Sequence, residues 1–101
     1  IQVVVNNHVL GMVRQWQEFF YESRYSQTSL DGSPDFMRLA EAYGARGLRA
    51  TSVEEVAPAI KTALQIPGPV IIDFHVDPAE NVLPMVVPNT SLVEMIGGWE
   101  K

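Results

Sequence analysis

Two adjacent asparagines, Asn6 and Asn7, have the clearest potential for binding chemistry in this sequence. They follow the apolar run 1–5, and an asparagine side-chain oxygen is a hard, neutral donor of the kind that Mg²⁺ accepts. A neighbouring backbone carbonyl would add a second oxygen, and Gly11 would let the main chain approach a ligand closely. Asparagine pairs at strand ends are also common turn formers. Spacing alone favours the turn and leaves the metal site open.

The two histidines carry weaker signals. His75 lies two residues after Asp73 in an apolar run, so both side chains are expected on one face of a strand. A metal centre needs more ligands than these two, so the pair predicts a structural, hydrogen-bonded histidine. His8, beside the asparagines, is ambiguous. The sequence has no glycine-rich phosphate loop, no Ser/His/Asp pattern and no His-Glu-x-x-His motif, so no catalytic acid or base is assigned.

Composition and charge narrow the classes of function. The chain has 101 residues, enough for one small domain, and a net charge of −5. Its 7 basic residues are scattered, so neither a nucleic-acid surface nor an anionic membrane surface is expected. Cysteine is absent, which excludes disulfides and thiolate chemistry in this chain. No apolar run approaches the ~20 residues of a membrane span.

The apolar pattern predicts the elements that would position these residues. The run 1–5 is β-branched and nearly continuous in apolar residues, which indicates a strand buried on both faces. From residue 10 the period becomes that of an amphipathic helix, which fades over 21–25. Its apolar side carries Met12, Val13, Trp16, Phe19 and Phe20, and its polar side carries Arg14, Gln15, Gln17 and Glu18. The aromatic side is predicted to pack in the core.

The next helix is indicated by its capping residues. Residues 26–32 predict a loop, and Ser33 is the expected N-cap, with Pro34 at the first helical position. Asp35 would then face the positive end of the helix dipole. Gly44 is expected to end the helix. The predicted inner face consists of Phe36, Leu39, Ala40 and Tyr43.

A capping box over 52–55 predicts a third helix. Pro58 removes one N–H and would clash with the carbonyl of Glu54, so either the first turn is irregular or the helix begins later. The predicted apolar face consists of Val56, Ile60 and Leu64. The remaining predicted elements are strands at 47–51 and 69–76, a turn at Asp77-Pro78, and a short helix over 91–96 that ends at Gly97-Gly98.

The order of these elements is strand, helix, helix, strand, helix, strand and tail. Strands that alternate with helices favour parallel pairing and right-handed crossovers, so we predict an α/β fold in three layers. Three strands make a narrow sheet, and the chain begins inside an apolar run without Met. We therefore expect a parallel-sheet fragment of a longer chain, with the upstream strands and domains absent.

The stretch 6–18, NNHVLGMVRQWQE, resembles the end of the thiamine-diphosphate motif in the large catalytic subunit of acetohydroxyacid (acetolactate) synthase. The portion LGMVRQW separates this family from decarboxylase relatives with the same fold. The resemblance continues in order through the segments 20–22, 33–36, 39–44, 68–73, 80–82 and 84–86. It covers essentially the whole chain, although residues 87–91 are less glycine-rich than the family pattern.

The resemblance implies a partial thiamine-diphosphate-binding fold, with residues 1–101 as the C-terminal portion of the domain that holds the diphosphate side of the cofactor. The side chain of Asn7 and the backbone carbonyl of Val9 would bind Mg²⁺. Trp16 would form a wall of the pocket for a second 2-keto acid. The residues implied in cofactor binding are Asn7, His8, Val9, Leu10, Gly11, Met12 and Val13.

The implied activity joins pyruvate, with loss of carbon dioxide, to a second 2-keto acid, in branched-chain amino-acid biosynthesis. A carboxylate ligand for the metal, the glutamate that activates the cofactor and the FAD-binding domain would lie outside this sequence, so the chain alone is expected to be inactive. The implied partners are the rest of the catalytic chain, further copies in a dimer or tetramer, and a regulatory small subunit. The implied compartment is the cytoplasm in a bacterium or an organelle in a eukaryote.

Two alternative functions stay open at this point. A related thiamine-diphosphate decarboxylase or carboligase would share the fold, and fold alone does not set function. A non-catalytic module that binds a partner through an exposed sheet edge would also be compatible with a narrow sheet.

Overall fold

The computed structural model describes residues 1–97 of the chain. Its elements, in order, are β1 (Gln2–Asn6), α1 (Gly11–Phe20), α2 (Phe36–Ala42), β2 (Arg46–Ala50), α3 (Val53–Gln65), β3 (Val70–His75), β4 (Met85–Val86) and β5 (Met95–Ile96). A parallel sheet has the strand order β1-β3-β2, and β4 pairs with β5 in an antiparallel ribbon. The predicted α/β fold with a parallel sheet is confirmed.

β3 is the central strand of the parallel sheet. Ile72, in the middle of β3, lies opposite Val3 of β1 on one side and opposite Leu48 of β2 on the other. Parallel strands that are covered on both faces are usually continuous apolar runs. The sequence VIIDFH interrupts such a run with one carboxylate, Asp73. A buried charge is costly unless it is paired and hydrogen-bonded, so this residue must find partners nearby.

Helices lie on both faces of the parallel sheet, over β2 and β3, which confirms the three-layer arrangement. On one face α3 packs Ala63 against Ile72, and the surrounding core consists of Val70, Leu48, Ala59, Ile66 and Phe74. On the other face α2 lies against β2 at Gly47, where a Cβ atom would come within 3.0 Å of Met37 Sδ. Successive residues of a strand point to opposite faces, so Gly47 and Leu48 contact different helices.

The side of α3 that faces the sheet is made of small residues, which corrects the predicted apolar face. Ala63 is buried and Ala59 is partly buried against the sheet. Ile60 and Leu64 are 41% and 71% exposed instead, and Val56 is 36% exposed. Small side chains let the helix lie close to the sheet, and this close packing turns the larger apolar side chains away from it.

The capping box predicted for α3 is confirmed. The Glu55 carboxylate accepts the backbone N–H of Ser52 at 3.2 Å and that of Thr51 at 2.7 Å. The bond from Thr51 is the main cause of the lowered pKa of Glu55. Of the two alternatives that Pro58 left open, the later helix start is wrong, because α3 begins at Val53 and continues through the proline. The capping box stabilises that start, although the proline leaves the helix without one backbone N–H donor.

The N-cap of α2 is Asp35, in place of the predicted Ser33. The Asp35 carboxylate accepts the backbone N–H of Met37 at 2.9 Å, so the helix starts two residues later than expected. Gly44 follows the helix end in the left-handed conformation, with φ 68°, as predicted. Tyr43 was expected on the inner face and is 80% exposed, because the helix has already ended before it.

Within residues 1–97 β1 is not buried on both faces, which corrects the prediction. No helix in this range contacts it, and Val3 and Val5, on one face of the strand, are 46% and 68% exposed. β1 also lies at the edge of the described sheet, because it pairs with β3 alone. The apolar sequence identifies a strand correctly but does not say what covers its faces.

The tail contains a second correction. Residues 91–96, predicted to be a helix, form a turn followed by β5, in which Ile96 pairs with Met85 of β4. So short a segment cannot hold a helix by local preference alone, and strand pairing with a distant residue prevails. The predicted turn at Asp77 is confirmed by its carboxylate, which accepts the N–H of Ala79 at 2.8 Å. The predicted end at Gly98 lies outside the described residues.

Replacing Ile72 with alanine is expected to lower the free energy of unfolding by about 2–5 kcal/mol, because it would leave a cavity at the centre of the sheet. Urea denaturation followed by circular dichroism measures this loss. Val53→Ala is the matched control, since Val53 is 84% exposed and its truncation should change stability by no more than about 0.5 kcal/mol. Equal losses in the two variants would contradict the assigned core.

Candidate functional site

One buried carboxylate joins the ends of all three strands of the parallel sheet. Asp73 of β3 has a side chain that is 1% exposed. Its Oδ1 accepts Nδ2 of Asn6, from β1, at 3.1 Å, and its Oδ2 accepts Nε of Arg49, from β2, at 3.0 Å. His75, also of β3, places Nε2 3.1 Å from the same Oδ2. The alternation of the strands puts these four side chains on the α2 face of the sheet.

The predicted structural role of His75 is confirmed by this contact. A carboxylate paired with an arginine can only accept hydrogen bonds, so Nε2 of His75 carries the proton that faces Asp73. The His75 ring also meets the ring of His8 edge to face, with 4.7 Å between centroids. The role of His8 was open in the sequence, and the structure places its side chain against the end of β3.

Asn6 and Asn7 each form a turn with the backbone that follows. Oδ1 of Asn6 accepts the N–H of His8 at 3.1 Å, and Oδ1 of Asn7 accepts the N–H of Val9 at 3.2 Å. His8 itself is left-handed, with φ 57°, a conformation uncommon for residues other than glycine. The turn hypothesis is confirmed for the pair. Each amide oxygen still has a second lone pair, so the turn does not prevent ligand binding.

Gly11, the first residue of α1, lies directly against Asn7. A Cβ atom at this position would stand 2.8 Å from Nδ2 of Asn7, so only glycine leaves room for the amide where it is. The sequence predicts a close approach at Gly11, and the structure shows that the approaching group is the Asn7 side chain.

The main chain of this turn pairs antiparallel with residues 28–30, an arrangement that the sequence did not indicate. The N–H of Leu10 donates to the carbonyl of Thr28 at 2.8 Å. The carbonyl of His8 accepts the N–H of Leu30 at 2.9 Å. A single bridge leaves no alternating pattern in the sequence. The predicted loop over 26–32 therefore contains residues that support the turn, although no sequence pattern marks them.

α1 is attached to the rest of the chain through its polar side, and Gln15 is the main anchor. Gln15 is 1% exposed, and its amide holds the backbone of Val82 from both directions. Its Nε2 donates to the Val82 carbonyl at 3.0 Å, and its Oε1 accepts the Val82 N–H at 2.7 Å. The same Nε2 lies 3.2 Å from Sδ of Met85, in β4. The tail before the β4–β5 ribbon is thereby fixed to the helix.

The other polar residues of α1 extend this attachment. Gln17 bonds both backbone groups of Ser26, at 3.0 and 3.1 Å. Glu18 accepts Nδ2 of Asn81 at 3.1 Å and forms an ion pair with Arg14 at 2.8 Å. The sequence signal for this side was its run of long polar residues, which a helical pattern alone assigns to solvent.

The aromatic side of α1 is exposed, so the prediction that it packs in the core is wrong within residues 1–97. Met12 and Val13 are each 49% exposed, and Trp16 is 37% exposed. Trp16 contacts Phe20 along the helix, with 5.0 Å between ring centroids. The described part of the chain offers no helix or strand to cover this side. An apolar surface one turn beyond Asn7 is therefore open to a ligand or to another part of a protein.

A cleft of about 300 Å³ lies at the carboxyl ends of the strands, between Asp73 and residues 30–35. Asp35 stands at its rim and accepts Nη2 of Arg49 at 3.2 Å. The backbone N–H of Met37, assisted by the guanidinium of Arg49, lowers the pKa of Asp35. Arg49 is thus held between two carboxylates, through Nε and Nη2. Residues 1–97 contain no cluster of three or more His, Cys, Asp or Glu that could hold a metal.

Residues 1–74 match the family described as thiamine pyrophosphate enzyme, C-terminal TPP binding domain. The match takes in the sheet, the turn after β1 and all three helices of the described residues. The chain belongs to this family, which confirms the family recognised in the sequence.

In residues 1–97 no helix is both long and apolar enough to cross a membrane.

Among curated proteins the chain is similar to acetolactate synthase catalytic subunits. It is 49% identical to the acetolactate synthase large subunit of Parasynechococcus marenigrum over 96 residues, 94% of this chain and 16% of that protein. It is 44% identical to the isozyme 2 large subunit of Escherichia coli over 94 residues, 93% of this chain and 17% of that protein. Identity to the mitochondrial catalytic subunit of Saccharomyces cerevisiae is 45% over 94 residues, 93% of this chain and 14% of that protein. The chain spans about a sixth of the length of these relatives.

The structure brings the predicted site residues into one continuous unit. Residues 7–13 form the turn after β1 and the first turn of α1, and Trp16 follows on the exposed side of the same helix. Two supporting groups were missed from sequence, namely Gln15 and the link from Asn6 to Asp73. Each joins residues 67 positions apart, so only the tertiary structure reveals it.

Replacing Gln15 with leucine is expected to release the tail from α1. The variant would leave the Val82 backbone groups without their partners, at a cost of about 1–3 kcal/mol. Hydrogen exchange should show faster exchange at Val82 and across the β4–β5 ribbon. Gln17→Leu is the matched control, because its side chain holds Ser26 and not the tail. Unchanged exchange in the Gln15 variant would contradict the anchoring role.

Proposed function

We propose that this chain is the C-terminal portion of the thiamine-diphosphate-binding domain of an acetolactate synthase catalytic subunit. The observation that carries the proposal is the turn after β1, where the Asn7 amide, the Val9 main chain and Gly11 meet. In open α/β sheets, ligands bind at the carboxyl ends of the strands, and this turn lies at the carboxyl end of β1. Similarity to acetolactate synthase large subunits over nearly the whole chain supports the particular activity.

The turn fits a Mg²⁺ ion held together with a diphosphate. Oδ1 of Asn7 keeps a lone pair after accepting the Val9 N–H, and the Val9 carbonyl is a second neutral oxygen in the same turn. Mg²⁺ prefers oxygen ligands and usually shares its shell among protein, water and phosphate. No cluster of carboxylates completes the shell within the described residues. The remaining ligands would come from the diphosphate, from water and from a carboxylate elsewhere in the protein.

Residues 7–13 would hold the diphosphate and thiazolium side of thiamine diphosphate. The bound cofactor supplies the carbon nucleophile that protein side chains lack, and the protein supplies orientation and a closed site. Here the turn would orient the cofactor, while Met12 and Val13 would offer apolar surface beside its reactive end. This chain provides no assigned catalytic acid or base, so proton transfers would depend on groups outside it.

Trp16 would form one wall of the pocket for the second 2-keto acid. It lies one helical turn beyond Met12 and is partly exposed on the side of α1 that makes no attachment to the rest of the chain. A large ring in that position narrows a pocket and gives apolar contact to the substrate side chain. The wider ethyl group of 2-ketobutyrate would gain more from this contact than the methyl group of pyruvate.

The complete protein would need further parts. FAD would bind in a separate domain, and the group that activates the cofactor would belong to another domain of the same or a neighbouring subunit. We propose a dimer or tetramer of catalytic subunits, with a regulatory small subunit as a further partner. The compartment would be the cytoplasm in a bacterium and an organelle in a eukaryote.

Product analysis of the complete protein that carries this chain tests the proposal. With thiamine diphosphate, Mg²⁺, FAD and pyruvate, it should release acetolactate, and added 2-ketobutyrate should give acetohydroxybutyrate. The isolated chain should release neither product, because it lacks the other half of the site. Acetaldehyde as the main product would show a decarboxylase instead. Absence of both cofactor binding and pyruvate consumption would favour a non-catalytic interaction module.

Gly11→Ala should weaken the metal-dependent binding of thiamine diphosphate in that protein. The added methyl group displaces the Asn7 amide, so we expect a loss of about 10-fold or more in affinity at limiting Mg²⁺. Stability should change by no more than about 1 kcal/mol, since alanine favours the helix. Isothermal titration measures the affinity.

Gly32→Ala is the control for this substitution. It also adds a methyl group, at a position with nothing within 4 Å, and it strains the backbone at φ 88°. It should therefore cost stability without loss of affinity. Equal affinity in the Gly11 variant and the unmodified protein would contradict the assignment of Asn7.

A further inference from the structure

We propose that Asp73 is a positioning residue for the cofactor's metal, acting through Asn6 on the turn that carries Asn7 and Val9. This inference rests on the proposed function. It adds a residue that lies 66 positions from Asn7 in the sequence and makes no contact with the ion itself.

The first step is the fixed position of Asp73. Its side chain is 1% exposed and accepts three donors, one from the end of each strand of the parallel sheet. An ionised carboxylate only accepts, so it can satisfy all three donors at once. An asparagine of the same shape would turn an amide N–H toward at least one of them. The geometry therefore requires a carboxylate at this position and not merely a polar side chain.

The second step is the orientation of Asn6. Its amide is planar, so holding Nδ2 on Asp73 fixes the direction of Oδ1 as well. Oδ1 then accepts the N–H of His8 at 3.1 Å. Asn6 is 9% exposed, and its amide therefore has little access to water as an alternative partner. The direction of the backbone at His8 is in this way tied to the carboxylate in the central strand.

The third step is the effect on the metal half-site. Asn7 lies between Asn6 and His8, and its own turn to Val9 starts from the backbone that the first turn has fixed. The left-handed φ of 57° at His8 is an unfavourable conformation that needs such support. A second route runs from Asp73 through His75, whose ring packs edge to face on His8 at 4.7 Å. Both routes end on the residue between the two proposed oxygen ligands.

Arg49 balances the charge of Asp73 through the oxygen that does not hold Asn6. It donates to Asp73 Oδ2 at 3.0 Å and to Asp35 at 3.2 Å, so its guanidinium offsets the buried carboxylate at Oδ2. The link to Asn6 leaves from the other oxygen, Oδ1. The route through Asn6 and the charge compensation by Arg49 thus use different oxygens of one side chain, whereas His75 shares Oδ2 with Arg49. Separate substitutions can therefore distinguish the Asn6 route from charge compensation.

Two variants of the complete protein test the proposal, Asp73→Asn and Asn6→Ala. The measurement is the Mg²⁺ concentration needed for half-maximal binding of thiamine diphosphate, followed by protein fluorescence and by isothermal titration without substrate. Each variant should need about 10- to 100-fold more Mg²⁺, the usual effect of losing an outer-shell partner. At saturating Mg²⁺ the affinity for thiamine diphosphate should return close to that of the unmodified protein. A purely structural defect would not show this recovery.

Asp35→Asn is the matched control, because it removes the other carboxylate on Arg49 and leaves the link to Asn6 intact. It should leave the Mg²⁺ requirement unchanged. Folding of every variant is checked by its melting transition, and if Asp73→Asn does not fold, Asn6→Ala decides the question.

A normal Mg²⁺ requirement in folded Asn6→Ala would overturn the proposal, and so would an equal increase in Asp35→Asn. If the unmodified protein binds no thiamine diphosphate at any Mg²⁺ concentration, the proposed function itself has failed, which is a distinguishable result.

Discussion

The structure depends on the need to satisfy one buried carboxylate in the central strand. Taking a charge out of water costs several kcal/mol, and partners must offset that cost where they stand. Asp73 obtains them from Asn6, Arg49 and His75, at the ends of three different strands. A slip of one residue in either edge strand would turn its donor to the opposite face of the sheet. The carboxylate therefore specifies strand register, and the position of the turn after β1 follows from it.

A second constraint is the way α1 is attached. Its polar side faces the chain, with Gln15 bonded to the Val82 backbone, and its aromatic side is left open. The radius of gyration is 17.5 Å, compared with about 13 Å for a compact domain of 100 residues. The helix extends away from the sheet and presents Met12, Val13 and Trp16 beside the Asn7 turn. This arrangement suits a surface completed by a cofactor, a substrate or further protein, and it agrees with a chain that spans about a sixth of its relatives.

Local chemistry explains which predictions from sequence were confirmed. The capping box at Glu55 and the left-handed Gly44 depend on neighbouring residues, so their patterns can be recognised along the chain. Several predictions of which apolar side chains are buried were wrong. Leu64 and the aromatic side of α1 are apolar but exposed, because periodicity shows which side of a helix is apolar and not what lies opposite it. The tail was assigned to a helix because its pairing partner, β4, is recognisable only in three dimensions.

The sequence by itself determined the α/β order and the family, and it singled out the stretch 7–13 for the proposed binding segment, because each is encoded in contiguous residues or in a regular period. Tertiary structure alone decided what supports that segment. Asp73 meets Asn6, and Gln15 meets Val82, across 67 residues in both cases. Contacts of that separation leave no local pattern, since they depend on how strands are ordered and which helix side is covered. The residues proposed to bind the ligand can therefore be recognised in the sequence, whereas the groups that hold them in place become visible only in the folded chain.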